Sequence, residues 1–165
     1  MSTQKTDPAA TAVDAIALLT ADHKEVKALF KAYDQLVDAD GGDEEKLQLA
    51  LEICTKLTVH ATVEEEIFYP AAREVLEDDE DLVDEADVEH ACAKELIAQI
   101  EQSAPADPLY DAKVKVLSEY INHHVEEEEG EMFPKIRQSD LDIDALGEEM
   151  SQRKEVLLAE MAETE

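Results

Sequence analysis

Apolar residues along the chain recur at alternating steps of three and four, the period of helices that bury one face. Four such stripes follow one another. The first is Ile16, Leu19, His23, Val26, Phe30, Tyr33 and Val37. The second is Ala50, Ile53, Leu57, His60, Glu64, Ile67 and Ala71. The third is Val83, Ala86, His90, Ala93, Ile97 and Ile100, and the fourth is Val114, Leu117, Ile121, His124, Glu128 and Met132. They predict helices over about 11–38, 43–76, 82–102 and 109–138. Asp40-Gly41-Gly42, the acidic run 77–81 and the Pro-rich turn 103–108 separate them. Pro70 predicts a kink or local break, and Pro134 falls near a helix end. A fifth amphipathic piece, about 142–162, carries Leu146, Met150, Leu157, Leu158 and Met161.

Helices of this length joined by short connections favour antiparallel neighbours. The pattern therefore predicts an all-α, up-down-up-down four-helix bundle over 11–138, preceded by a flexible tail at 1–10. The added C-terminal helix, within 139–165, is expected to cap the bundle or to form a dimer contact.

Composition supports this reading. The chain has 165 residues, with only 4 Gly and 5 Pro to interrupt helices and 4 % aromatic residues. Its formal charge is −29, a surface that repels nucleic acid and anionic lipid, so both are discounted as partners. Cys54 and Cys92 lie in separate apolar stretches and form no CxxC pair. Both read as small core residues in a reducing compartment, and whether they could pair is a matter of geometry. No leader and no long apolar stretch is visible, and the protein is expected to be cytoplasmic.

The stripes also carry the chemistry. Each seam holds one histidine, and two seams hold a glutamate one turn further on, at i+4, about 5–6 Å away at Cβ. A buried glutamate costs several kcal/mol unless it is paired or binds a cation. Two of them among four buried histidines have no ready explanation as hydrophobic core, whereas metal cations supply the charge they need. Imidazole with carboxylate suits iron, manganese or zinc, and the lack of thiolates argues against a structural Cys-zinc site. The segment H60-ATVEEEIFYP aligns without gaps with H124-VEEEEGEMFP, sharing H-x-x-x-E-E-x-x-x-[YF]-P. This repeat relates the second helix to the fourth and implies approximate two-fold symmetry. Among the remaining residues, His123 reads as a surface or supporting residue. Glu65, Glu66, Glu126, Glu127 and Glu129 read as solvated faces, and Tyr33, Tyr69, Tyr120, Phe68 and Phe133 as packing.

With these motifs, and with Leu18-Leu19-Thr20-Ala21-Asp22-His23 and Glu89-His90, the chain resembles the hemerythrin-like, or HHE cation-binding, family over about 16–137. The resemblance implies two iron ions, bridged by oxo or hydroxo. His23 and His60 would lie on one, His90 and His124 on the other, and Glu64 and Glu128 between them. Oxygen-carrying members have a further histidine four residues after the third-helix one, where this chain has Lys94. They also place the last carboxylate five residues after its histidine, a place Glu129 could fill, although Glu128 matches Glu64 and the seam.

The resulting expectation is a di-iron protein that binds or reacts with dioxygen, peroxide or nitric oxide, as a monomer or homodimer. A peroxide-consuming activity is implied by the resemblance alone. The rival readings are an iron store, buffer or sensor module without catalysis, and a structural bundle without metal.

Overall fold

The computed structural model describes residues 13–163. Among them there is no strand, and the helices are α1 (Ala15–Asp38), α2 (Asp43–Val63), α3 (Tyr69–Val75), α4 (Glu80–Glu101), α5 (Tyr110–Glu127), α6 (Phe133–Gln138) and α7 (Ile143–Glu163). The expected tail at 1–10 and the first residues of the expected first helix lie outside the described residues.

Local signals set the boundaries. Asp14 caps α1 by accepting from the Ala17 N–H at 2.8 Å. The helix ends where Asp40 takes a left-handed φ of 54° and the Gly41 N–H returns to the Leu36 carbonyl. Asp142 accepts from the Ala145 N–H to start α7.

The four long helices form a ring in which α1 packs on α2 and α5, and α4 on α5 and α2. This is the expected four-helix bundle. Helix α7 lies along α1 and α2 of its own chain. Leu146, Gly147 and Met150 are its buried points. Gly147 is needed there, because a Cβ would stand 2.4 Å from the Val13 carbonyl oxygen and 2.7 Å from the Ala15 nitrogen.

Two departures follow from the prolines. Where a single kinked helix over 43–76 is expected, α2 passes through one π-helical turn, Glu64–Phe68, before α3. The fourth helix does the same at Glu128–Met132, between α5 and α6. In each case the N–H five residues on, that of Tyr69 or Phe133, bonds the carbonyl of Glu64 or Glu128. Pro70 and Pro134 follow directly. Neither has an N–H, and each ring would clash with the carbonyl four residues back, so the preceding turn widens. The wide turn adds one residue and moves the seam. Phe68 and Ala72 are buried where Ile67 and Ala71 were expected, and Met132, Phe133 and Ile136 are buried in the second copy.

The core is two apolar blocks. One, around Leu19, Phe68, Tyr69, Phe133, Ile136 and Met150, lies at the π turns and α7. The other, around Phe30, Tyr33, Ile53, Leu57, Ile97 and Leu117, fills the opposite half. Cys54 belongs to the second block, where burial pushes its thiol up to about 12. Cys92 is exposed, contrary to the core position expected for it, and both thiols are free. Its stretch is apolar in sequence, but Cys92 lies on the face of α4 turned away from His90 and Ala93. Val37, at the end of the first stripe, is also exposed.

The tight seat of Gly147 gives a direct test. Alanine is the better helix former by about 1 kcal/mol, but here its methyl meets backbone that cannot yield. Gly147→Ala is expected to destabilise the protein by about 1–3 kcal/mol, read as a lower denaturation midpoint in urea.

Candidate metal centre

Between the two apolar blocks lies a layer of six buried ionisable side chains: His23 from α1, His60 from α2, Glu64 from the first π turn, His90 from α4, His124 from α5 and Glu128 from the second π turn. They are the six residues expected from the seams, and the fold brings all of them together. The layer contains two overlapping groups of four: His23, His60, Glu64 and Glu128, and His90, His124, Glu64 and Glu128.

Both carboxylates face both histidine pairs. Glu128 Oε1 lies 3.2 Å from His23 Nε2, and its Oε2 lies 3.0 Å from His124 Nε2. Glu64 Oε1 touches His60 Nε2 and stands 3.9 Å from His90 Nε2. His90 Nε2 and His124 Nε2 are 3.3 Å apart. Every histidine thus turns Nε2 inward.

Every histidine also turns Nδ1 outward onto a carboxylate. His60 meets Asp22 at 3.0 Å, His23 meets Glu129 at 3.2 Å, His124 meets Glu89 at 3.3 Å and His90 meets Glu65 at 3.4 Å. The first three are hydrogen bonds, and carboxylates so placed hold the proton on Nδ1 and leave Nε2 as an inward donor, the usual support of a metal-bound imidazole; Glu65 faces His90 Nδ1 without a hydrogen bond. The partners obey the internal symmetry. The acid just before the histidine on α1 or α4 (Asp22, Glu89) serves the histidine of α2 or α5. The acid just after the shared glutamate (Glu65, Glu129) serves the histidine of α4 or α1.

These four carboxylates were not expected as site residues, and Glu65 and Glu129 were read as solvated. A signal existed: Asp22-His23 and Glu89-His90 are a second repeated pair, and Glu64-Glu65 and Glu128-Glu129 a third. The cross-helix pairing was hidden, because it joins residues 25 to 106 positions apart rather than neighbours on one helix.

Tyr69 is a further residue that sequence reasoning assigned to packing. The π turn swings it inward, where its hydroxyl donates to Glu128 Oε2 at 2.6 Å and lies 3.2 Å from His90 Nε2. Its counterpart in the repeat is Phe133, which stacks parallel to His23 at 6.0 Å between centroids. The halves therefore share histidines and carboxylates but not this hydroxyl. Tyr33 is remote from the layer and donates to Asp111. Lys94 bonds Glu65, and His123 is exposed, as expected.

The charges in the layer are coupled. Burial works against the His60 imidazolium, but Glu64 and Asp22 outweigh it and push its pKa up to about 10. Burial also opposes His124, yet Glu128 and Glu89 push it up to about 11. Burial alone would raise Glu128, but His124 and His23 hold it well below the usual carboxylate range. Burial and then the charges of Glu128 and Glu64 raise Tyr69 far above its ordinary value, so it stays a phenol.

Proton pairing leaves much of the layer unsatisfied. His23 Nε2, His60 Nε2, both oxygens of Glu64 and Glu128 Oε1 are buried without a hydrogen-bond partner. Buried polar atoms are rarely orphaned, and these five converge in one layer. A nitrogen-and-oxygen donor set of this kind fits a cation.

A buried His/Glu cluster inside a helical bundle defines a cation-binding protein. Residues 14–136 match the family model described as Hemerythrin HHE cation binding domain, and the chain belongs to that family. Among solved structures it is similar to a Hemerythrin HHE cation binding domain-containing protein from Mycobacterium kansasii. That similarity has a TM-score of 0.71 at 23 % identity, over 88 % of this chain and 87 % of that one, and speaks to the fold. It is also 33 % identical over 119 residues to a protein of Nostoc sp. strain PCC 7120 described as a DNA nickase. The match takes in 70 % of this chain but only 31 % of that protein, so the chain spans about a third of its relative's length.

Two outcomes test the electrostatics in metal-free protein. His60 and His124 have folded-state pKa values above the unfolded 6.5, so their stabilisation is complete below pH 6.5 and is lost as pH rises through about 10 to 11. The melting temperature of chelator-treated protein is expected to fall steadily from about pH 7 to pH 11, and a flat profile would mean the imidazoles are neutral. Tyr69→Phe removes a donor to a buried carboxylate and should cost the same preparation about 1.5–3 kcal/mol in urea denaturation.

Proposed function

We propose that the chain holds two iron ions, one between His23 and His60 and one between His90 and His124, with Glu64 and Glu128 shared. We further propose that the protein binds or reacts with dioxygen, peroxide or nitric oxide there. The observation that carries this reading is the pair of overlapping buried His₂Glu₂ groups sharing both carboxylates. Bound iron supplies one-electron redox chemistry and coordination positions open to a small molecule.

The chain's own residues prepare the site in three ways. Asp22, Glu129 and Glu89 fix the tautomer and ring angle of His60, His23 and His124. Tyr69 donates its hydroxyl proton to Glu128 Oε2 across an oxygen–oxygen distance of 2.6 Å, on the His90/His124 side only. A narrow apolar cleft lined by Val26, Leu57, Ala93, Ile97 and Ile121 reaches the four imidazole edges. Such a lining admits a small uncharged molecule and resists water and ions.

Lys94 stands at the mouth of this cleft. It occupies the place of the further histidine of oxygen carriers and is drawn to Glu65 instead. Its side supplies one imidazole fewer, which favours reaction or sensing over reversible carriage. DNA nicking is not carried over from the Nostoc protein, because a charge of −29 opposes approach to a phosphate backbone.

The test is metal analysis of anaerobically purified protein, followed by visible spectra on adding oxygen and then peroxide. About two irons per chain are expected, with a new visible band on oxidation and accelerated loss of peroxide. Two irons with neither band nor peroxide loss would mean a store or buffer, and protein that takes up no iron would overturn the reading.

A further inference from the structure

The two halves of the centre differ outside the histidine layer. Asp22 and Glu89 are symmetry counterparts, each with one oxygen on a histidine Nδ1. The other oxygen of Asp22 accepts from the ammonium of Lys154, on α7, at 2.6 Å. Helix α7 lies only on the α1/α2 side, so Glu89 has no such lysine. Its Oε2 is buried without a hydrogen-bond partner. What faces that oxygen is His123, with Nε2 at 4.0 Å from Glu89 Oε2 and 3.1 Å from Glu127 Oε1. A small crevice has the two carboxylates of this trio, Glu89 and Glu127, on its walls together with His124 and Glu128 of the buried layer.

We propose that Glu89, His123 and Glu127 form a third site for a divalent first-row cation, through which the buried centre is loaded. The loading role rests on the metal-centre reading above. Two donors each about 2.1 Å from one ion lie about 3.0–3.4 Å apart, so the His123–Glu127 gap already fits and Glu89 closes by about half an ångström. One imidazole and two carboxylates form a mixed donor set suited to iron, manganese or zinc. His123 is 63 % exposed, so water fills the remaining positions and the ion can exchange. The cation takes the part that the Lys154 ammonium plays in the other half, satisfying the second oxygen of the acid that supports a histidine. From there His124 and Glu128 are the next donors inward, and the acidic surface raises the local cation concentration.

The alternative is a plain i,i+4 pair of protonated His123 with Glu127. Cobalt(II) alone, added anaerobically to the full metal-free chain, separates the two. The variants are His123→Ala and, separately, Glu127→Gln; His123 is exposed and Glu127 partly so, neither forms a hydrogen bond or ion pair with the six buried residues, and Glu89 is kept. The expected result is three Co(II) per chain in the wild type at equilibrium dialysis, the third exchanging freely with chelator. Each variant should bind two, and stopped-flow uptake into the buried pair should slow by about tenfold. Two Co(II) in wild type and variants alike, with equal uptake rates, would overturn the third site and leave the buried centre standing. Three falling to two with unchanged uptake would overturn the loading role. No uptake at all would overturn both this inference and the reading it rests on.

Discussion

The structure depends on burying two carboxylates among four imidazoles in one layer of a helical bundle. Neither a carboxylate nor an imidazolium tolerates such a site alone. Together they pull each other into the charged state, which is why Glu128 is held low while His60 and His124 are driven up. The compensation is incomplete. Four histidines and two glutamates leave buried acceptors without donors, Glu64 with both of its oxygens. A cation resolves what protons leave open, and so the same layer that weakens the core as apolar packing gives it a ligand set.

Holding that layer in register falls to the two π turns. An α-helix would carry the seam straight from Glu64 to Ile67 and Ala71. The extra residue instead turns Phe68 and Tyr69, and Met132 and Phe133, inward as a floor beneath the carboxylates. The prolines enforce this, since each removes a donor just where the ladder would resume α geometry. The aromatic-proline pair in each repeat is therefore part of the site's construction, and exchanging Tyr69 for Phe133 between halves makes the two histidine pairs unlike.

That division marks what the sequence revealed. The bundle and the six buried ionisable residues were legible because burial and helix period act on neighbours along one helix, and His60/Glu64 and His124/Glu128 betray themselves at i+4. The Nδ1 partners were not, because Asp22–His60 and Glu89–His124 exist only once separate helices are packed. Tyr69 was hidden by a register change of one residue that a 3.6-residue period cannot express. Cys92 was misplaced for a simpler reason: in a stretch where alanines fall on both faces of the helix, small residues carry little positional signal.

Helix α7 was legible as an amphipathic piece but its seat on the bundle was not, and that seat makes the halves chemically distinct. By packing on α1 and α2 it brings Lys154 to Asp22, and Arg153 to Glu66. The His60 support is thereby closed by a fixed ammonium that belongs to the fold. The His124 support has no such group, and the second oxygen of its acid is buried without a partner, facing His123 at 4.0 Å. Two-fold repetition supplies matching inner donors, while a single added helix occupies one of two equivalent outer positions. The remaining position is where the proposed cation would do electrostatically what lysine does permanently.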